Sequence, residues 1–204
     1  MKGHDMTTEP AGRAGSTGPP ADLRTLMAAF PTGVSIVTAT ARDDTTWGMT
    51  CTSLCSVSLD PPMLLVCLRC GSPTLDAICE SGLFAVNLLH GQAQPTAELF
   101  ASGAPDRFER IIWHAKDGAA GPHLTGSSHT IADCSVFSTQ VVGDHTVVLG
   151  KVDLVTPIRA QHPLLYGLRG YASWPGPAPS PSRIPPERTA KLNSAPNPRK
   201  HSDR

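Results

Sequence analysis

The sequence predicts a mainly β fold, a small antiparallel barrel with short helices at its rim. Six or seven β-type runs and three or four short helical segments follow one another without strict alternation. No GxGxxG follows the first β run, so nothing supports a doubly wound nucleotide fold. Only 17% of the residues are charged, while Gly (18) and Pro (20) are plentiful, which suits a loop-rich β protein better than a helical bundle. A chain of 204 residues has room for one domain with a real core.

Residues 1–20 are Gly, Pro, Thr and charge without period, and read as a disordered arm. The folded domain is expected over 21–174. It opens with a helix that Asp22 caps and on which Leu23, Leu26, Met27 and Phe30 form one apolar stripe. Pro31-Thr32-Gly33 ends that helix, and GVSIVTAT (33–40), alternating and β-branched, is a strand. After a polar turn at 42–46 the chain returns along GMTCTSLCSVSL (48–59) as one strand, and Asp60-Pro61-Pro62 breaks the ladder. MLLVCL (63–68) is continuously apolar, as a strand buried on both faces is. Ser72 before Pro73 starts a helix that Gly82 stops. LFAVNLL (83–89) is a strand, and 95–101 and 105–110 are short helices. Residues 130–142 and 145–155 pair around Gly143-Asp144, and 164–171 is a last short strand. From Pro175 to the end the chain reads as a disordered, weakly basic, Pro-rich tail.

The 17 basic and 17 acidic residues cancel, so there is no electrostatic reason to expect nucleic acid or an anionic membrane as partner. An oligonucleotide-binding barrel would want a basic groove with exposed aromatics, and five Phe, two Tyr and three Trp at zero net charge argue against one. No run approaches the roughly 18 apolar residues of a membrane span, and the N-terminus lacks the apolar core of a secretory signal. A cytoplasmic location with six reduced cysteines is therefore expected. Cys67 and Cys70 have CxxC spacing without a second pair, and read as a core thiol and a loop thiol; no metal is expected.

Three features carry chemistry. Thr50, Thr52, Ser53, Ser56 and Ser58 crowd small hydroxyls onto one strand, either as a solvated face or as a floor on which a flat ligand approaches the backbone. The Ser72-Pro73-Thr74 helix start is either an ordinary cap or an anion site. His145, just past a turn, is either an exposed histidine or a rim group able to exchange a proton. No Ser-His-Asp order, paired carboxylates or HExxH appears, so a hydrolase has no support.

Taken in order, PTGVSIVT, GMTCTSLCSVSLDPPMLLVCL, SPT, FAVNLL, DRF, GDHTVVLGKV and PLLYGLRGY resemble the flavin reductase-like family over about residues 22–174. The resemblance implies an FMN-binding split barrel of Greek-key antiparallel strands, usually a homodimer. It implies reduction of FMN or FAD by NADH or NADPH, with reduced flavin passing to a partner monooxygenase or halogenase. Carried over by position, Thr50, Thr52, Ser53, Ser56, Val57 and Ser58 would line the ring and ribityl chain. Ser72 and Thr74 would hold the phosphate, Phe108 would cover part of the site, and His145 would stand beside flavin and nicotinamide. Backbone N–H groups from Thr52 to Ser56 would meet the charge on the reduced ring. Thr52 and Lys151 depart from the family, which often has asparagine and an acidic residue there. A non-catalytic flavin-binding barrel, acting as a store or sensor, is the alternative.

Overall fold

The computed structural model describes residues 22–115 and 118–177. The arm expected over 1–20, and the tail expected over 175–204 from residue 178 onward, lie outside them. Ten strands and three helices occur among the described residues. In chain order they are α1 (Leu23–Ala28), β1 (Thr32–Gly33), β2 (Ser35–Thr40), β3 (Thr46–Cys51), β4 (Cys55–Leu59), β5 (Pro62–Arg69) and α2 (Pro73–Ser81), followed by β6 (Leu83–Leu89), α3 (Gln94–Ser102), β7 (Ser128–Val142), β8 (His145–Pro157), β9 (Leu164–Gly167) and β10 (Gly170–Ser173). Seven strands form an antiparallel sheet in the order β3-β2-β6-β7-β8-β5-β4, and β1, β9 and β10 form a second. None of the helices among these residues is long and apolar enough to cross a membrane.

Strand β2 shows why the sheet has two cores. Its side chains alternate, and both faces are buried: Val37 and Ala39 point into the barrel with Phe84, Val86, Val148 and Ile78, while Ile36 packs outward with Phe100, Leu89 and Leu124. Helix α2 closes the first cluster and α3 the second. Each large side chain buried this way contributes roughly 1.5–3 kcal/mol. Helix α2 begins and ends where expected: the Ser72 hydroxyl accepts from the Leu75 N–H (3.4 Å), Pro73 is the first helical residue, and Gly82 stops it at φ 71°.

Four expectations need correction. The run 48–59 is not one strand; the ladder stops at Cys51 and resumes at Cys55, because β3 pairs with β2 whereas β4 pairs with β5. The Ser53 hydroxyl bridges the gap, accepting from the Cys67 N–H (2.9 Å) and donating to the Cys67 carbonyl (3.0 Å), so it joins the two ends of the curled sheet. Cys67 itself is half-buried rather than core, since β5 buries only Leu64, Val66 and Leu68. Residues 105–110 are successive turns instead of a helix. The buried Arg107 spends its guanidinium on the Gly48 (3.1 Å) and Ala104 (2.9 Å) carbonyls, under the faces of Trp47, Phe100 and Phe108. Finally, residues 164–171 are two strands, β9 and β10, turning at Leu168-Arg169.

Candidate active site

The break between β3 and β4 places the first part of the site. Gly48 allows Phe100 of α3 to close on β3, since a Cβ there would stand 2.9 Å from the Phe100 ring. The Thr50 hydroxyl then donates to the Ala97 carbonyl (2.6 Å), which locks β3 to α3. Beyond Cys51 the chain leaves the ladder, and the N–H groups of Thr52, Ser53 and Leu54 make no hydrogen bond among the described residues. Three successive unused donors lie beside two hydroxyls.

These residues open on a cleft of about 970 Å³, near the upper end of the roughly 300–1,000 Å³ typical of small-molecule sites. Thr50, Thr52, Ser53 and His145 line it together. Its other wall comes from α1. The apolar stripe read from the sequence forms, but none of it is buried: Leu23, Met27 and Phe30 face the cleft instead of a core. Cys51, Cys67, Tyr166 and Arg169 also line it. Burial pushes the Cys51 thiol up, so it stays protonated on the cleft floor. The site could hold a flat ring between an apolar helix wall and a polar strand end.

His145 stands at the mouth of the cleft, where β8 starts after the Gly143-Asp144 turn, opposite Arg69 of β5. Its Nδ1 lies 2.8 Å from the Asp144 carboxylate, and both side chains are exposed. The hydrogen bond from the imidazole holds the Asp144 carboxyl below the ordinary carboxylate range. This contact orients the ring and leaves Nε2 for a ligand.

The other predicted residues do not converge on the cleft. Ser56, Val57 and Ser58 lie on the edge strand β4. Ser72 caps α2, and Thr74 is buried, so what Thr74 offers an anion is its backbone N–H in the first helical turn. Pro73 at the start of α2 lines a separate depression of about 610 Å³ with Trp47, Arg42 and three carboxylates, Asp43, Asp76 and Glu80. Phe108 does not line this cleft. It packs edge-on between Phe100 and Trp113, with ring centroids at 5.1 and 5.6 Å, because Arg107 draws the turn under the sheet. Lys151 is ion-paired with Asp153 (3.1 Å). Sequence reading missed Arg24, Met49, Tyr166 and Arg169 in the cleft. The glycines on either side of Leu168-Arg169 are the signal that could have revealed this turn, though not its destination.

Residues 27–175 match the flavin reductase like domain, which is most of the chain and all of the cleft apart from its first residues. The chain belongs to the flavin reductase-like family. It is 48% identical over 156 residues to a flavin reductase (NADPH) of Lentzea aerocolonigenes, covering 76% of this chain and 89% of that one. An NADH:FAD oxidoreductase of Streptomyces globisporus, solved with NAD and FAD fragments, superposes with a TM-score of 0.70 at 29% identity, over 75% of this chain and 91% of that one. The flavin reductase component of a bacterial two-component tryptophan halogenase superposes with a TM-score of 0.69 at 29% identity, over 76% and 98%. All three carry reductase names, and none is named as a store or sensor. The split barrel expected from the sequence is the architecture of this flavin reductase.

Proposed function

We propose that this flavin reductase works in the cleft between α1 and the β3–β4 break, and that it supplies reduced flavin to a partner monooxygenase or halogenase. The enzyme is an NAD(P)H-dependent flavin reductase. The observation that carries the site assignment is the meeting of His145 with Thr52 and Ser53 of the unladdered segment in one cleft. Bound flavin supplies the redox chemistry, accepting hydride from reduced nicotinamide.

The protein's own tasks are positional. Leu23, Met27 and Phe30 exclude water from one face of the cleft. Thr52 offers side-chain and backbone donors, and Ser53 its backbone N–H, to the carbonyl edge of a ring, where fixed donors favour added negative charge. Thr50, already bonded to α3, serves mainly to hold that edge in place. His145, oriented by Asp144, holds or moves a proton at Nε2 at the cleft mouth. Ser72 and Thr74 present the start of α2 to a phosphate, and Ser56, Val57 and Ser58 extend the polar edge along β4. No strong covalent catalyst is required, in agreement with the absence of a nucleophile motif in the sequence.

Two further features belong to the same reading. Phe137, Val141 and Val142 of β7 and Leu154 and Val155 of β8 are large apolar side chains left exposed on the two longest strands, which supports a homodimer. Six free thiols and an NAD(P)H substrate support a cytoplasmic location.

The experiment is a steady-state assay of FMN and FAD against NADH and NADPH. Nicotinamide oxidation is expected with at least one pair. Absence of oxidation in all four combinations would refute the reading.

A further inference from the structure

The turn between β9 and β10 holds an arginine in a conformation the packing does not require. Gly167 pairs with Gly170, so Leu168 and Arg169 form a two-residue hairpin, and both have left-handed backbone, at φ 51° and 61°. Such a turn ordinarily takes Asn-Gly. Leu168 is 83% exposed, so neither residue is there for burial. The hairpin is nevertheless pinned: the Leu168 N–H donates to the Ala28 carbonyl at 2.6 Å, and Gly167 lies so close to Pro31 that a Cβ would stand 3.1 Å from it. An arginine kept in a disfavoured conformation on a fixed support, at the edge of a ligand cleft, is a feature that stability alone would remove.

Arg169 and Arg24 both line the cleft that holds Thr52, Ser53 and His145. Among the described residues neither guanidinium makes an ion pair. Asp22 is the one carboxylate of the lining, and it is already engaged by the Thr25 hydroxyl and by the Arg24 N–H (3.1 Å). Two cations of this kind, without internal partners, suit a phosphate monoester dianion, which a guanidinium meets with two parallel hydrogen bonds.

We propose that Arg169, supported by Arg24, recognises the 2′-phosphate that distinguishes NADPH from NADH, and so sets the nicotinamide preference of this enzyme. The inference rests on the cleft being the site of reduction. A flavin phosphate has the same chemistry, and the FMN and riboflavin arms of the test separate the two sources.

The test compares wild-type protein with Arg169→Gln, Arg169→Gly, Arg169→Lys and Arg24→Gln. For each, KM is measured for NADPH and NADH with FMN and with riboflavin, which has no phosphate. The wild type is expected to prefer NADPH. Arg169→Gln should raise the KM ratio of NADPH to NADH by about tenfold or more, the loss of a charge-assisted contact. Lysine should recover part of it, and Arg24→Gln should act in the same direction but less. Arg169→Gly should show the same shift while its thermal midpoint stays level or rises, because glycine accepts the left-handed backbone. An unmoved ratio in both Arg169→Gln and Arg169→Gly would overturn the proposal. So would a loss equal for both nicotinamides and confined to FMN, which would assign Arg169 to the flavin phosphate. Calorimetric titration with adenosine 2′,5′-bisphosphate gives a readout independent of turnover. If no nicotinamide is oxidised, the reductase reading fails, while wild-type binding that Arg169→Gln abolishes still supports the arginine.

Discussion

Two histidine–aspartate pairs among the described residues, each with nitrogen and oxygen 2.8 Å apart, have opposite roles. His123 and Asp133 are buried, their side chains 5% and 6% exposed; His145 and Asp144 are open, at 46% and 89%. Around the first pair the polar groups turn inward, although Asp133 Oδ2 and Ser128 Oγ are buried without a partner among the described residues. Asp133 Oδ1 also accepts the Ala120 N–H (2.8 Å), and the Asn87 side chain bonds Thr38, the Pro122 carbonyl and the Leu124 N–H, so the 118–128 segment is strapped onto β2, β6 and β7. Around the second pair capacity is left over, in the free imidazole Nε2, the N–H groups of 52–54 and two cleft arginines. The same chemical pair is a clamp where it is buried and bonded to its surroundings, and a site where it is open to a ligand.

Substitutions at the two pairs separate these roles. The largest effect is expected from Asp133→Ala, which strands His123 and the Ala120 N–H in the interior. Urea unfolding should show a loss of about 3 kcal/mol. A loss below about 1 kcal/mol would mean that the pair is no clamp. His145→Ala should leave unfolding within about 0.5 kcal/mol of wild type. Its kcat should fall about tenfold or more, while flavin affinity by fluorescence titration changes less than about threefold. Native kcat and nicotinamide KM would make His145 a bystander. Ser53→Ala lies between the two regions. It removes the hydroxyl that joins β3 to β5 and should cost about 1 kcal/mol, together with weaker flavin binding; a stability loss with unchanged flavin affinity would make Ser53 structural only.

The smallest effect concerns pH. Burial, with His90 nearby, holds the His129 imidazole below its ordinary value of 6.5. The unfolded chain therefore takes up that proton first as pH falls. Stability is full above the ordinary value and declines below it. Thermal scans between about pH 7.5 and 5.5 should show a falling midpoint, and His129→Gln should flatten the fall. An identical slope in the variant would assign the effect to other groups. Cys134, by contrast, is pushed up to about 12 by burial and takes no part in this range.

The local elements were legible because their causes are local. The α2 cap at Ser72, Pro73 and Gly82 is a statement about a few consecutive residues, and so is the Gly143-Asp144 turn. The ordered motifs then sufficed to identify the family, and with it the reaction. Individual site residues were less legible. Thr52, Ser53 and His145 do reach the cleft, but Phe108 does not, because Arg107 binds the Gly48 carbonyl some 59 residues away and carries the DRF turn beneath the sheet. The run 48–59 was read as one straight strand since period-2 alternation contains no sign of a change of partner. Where β3 leaves β2 and β4 joins β5 depends on how far the whole sheet curls.

By itself, the amino-acid order determined the β elements, their caps and turns, and the family. The tertiary structure alone decided which hydroxyls stay free, that the α1 stripe walls a cleft instead of a core, and that Arg24 and Arg169 meet the strand break. The reason is physical: propensity and capping act over a few residues, whereas a cleft is made by segments as distant as 22–30, 49–53, 145 and 166–169, brought together only when the curled sheet closes.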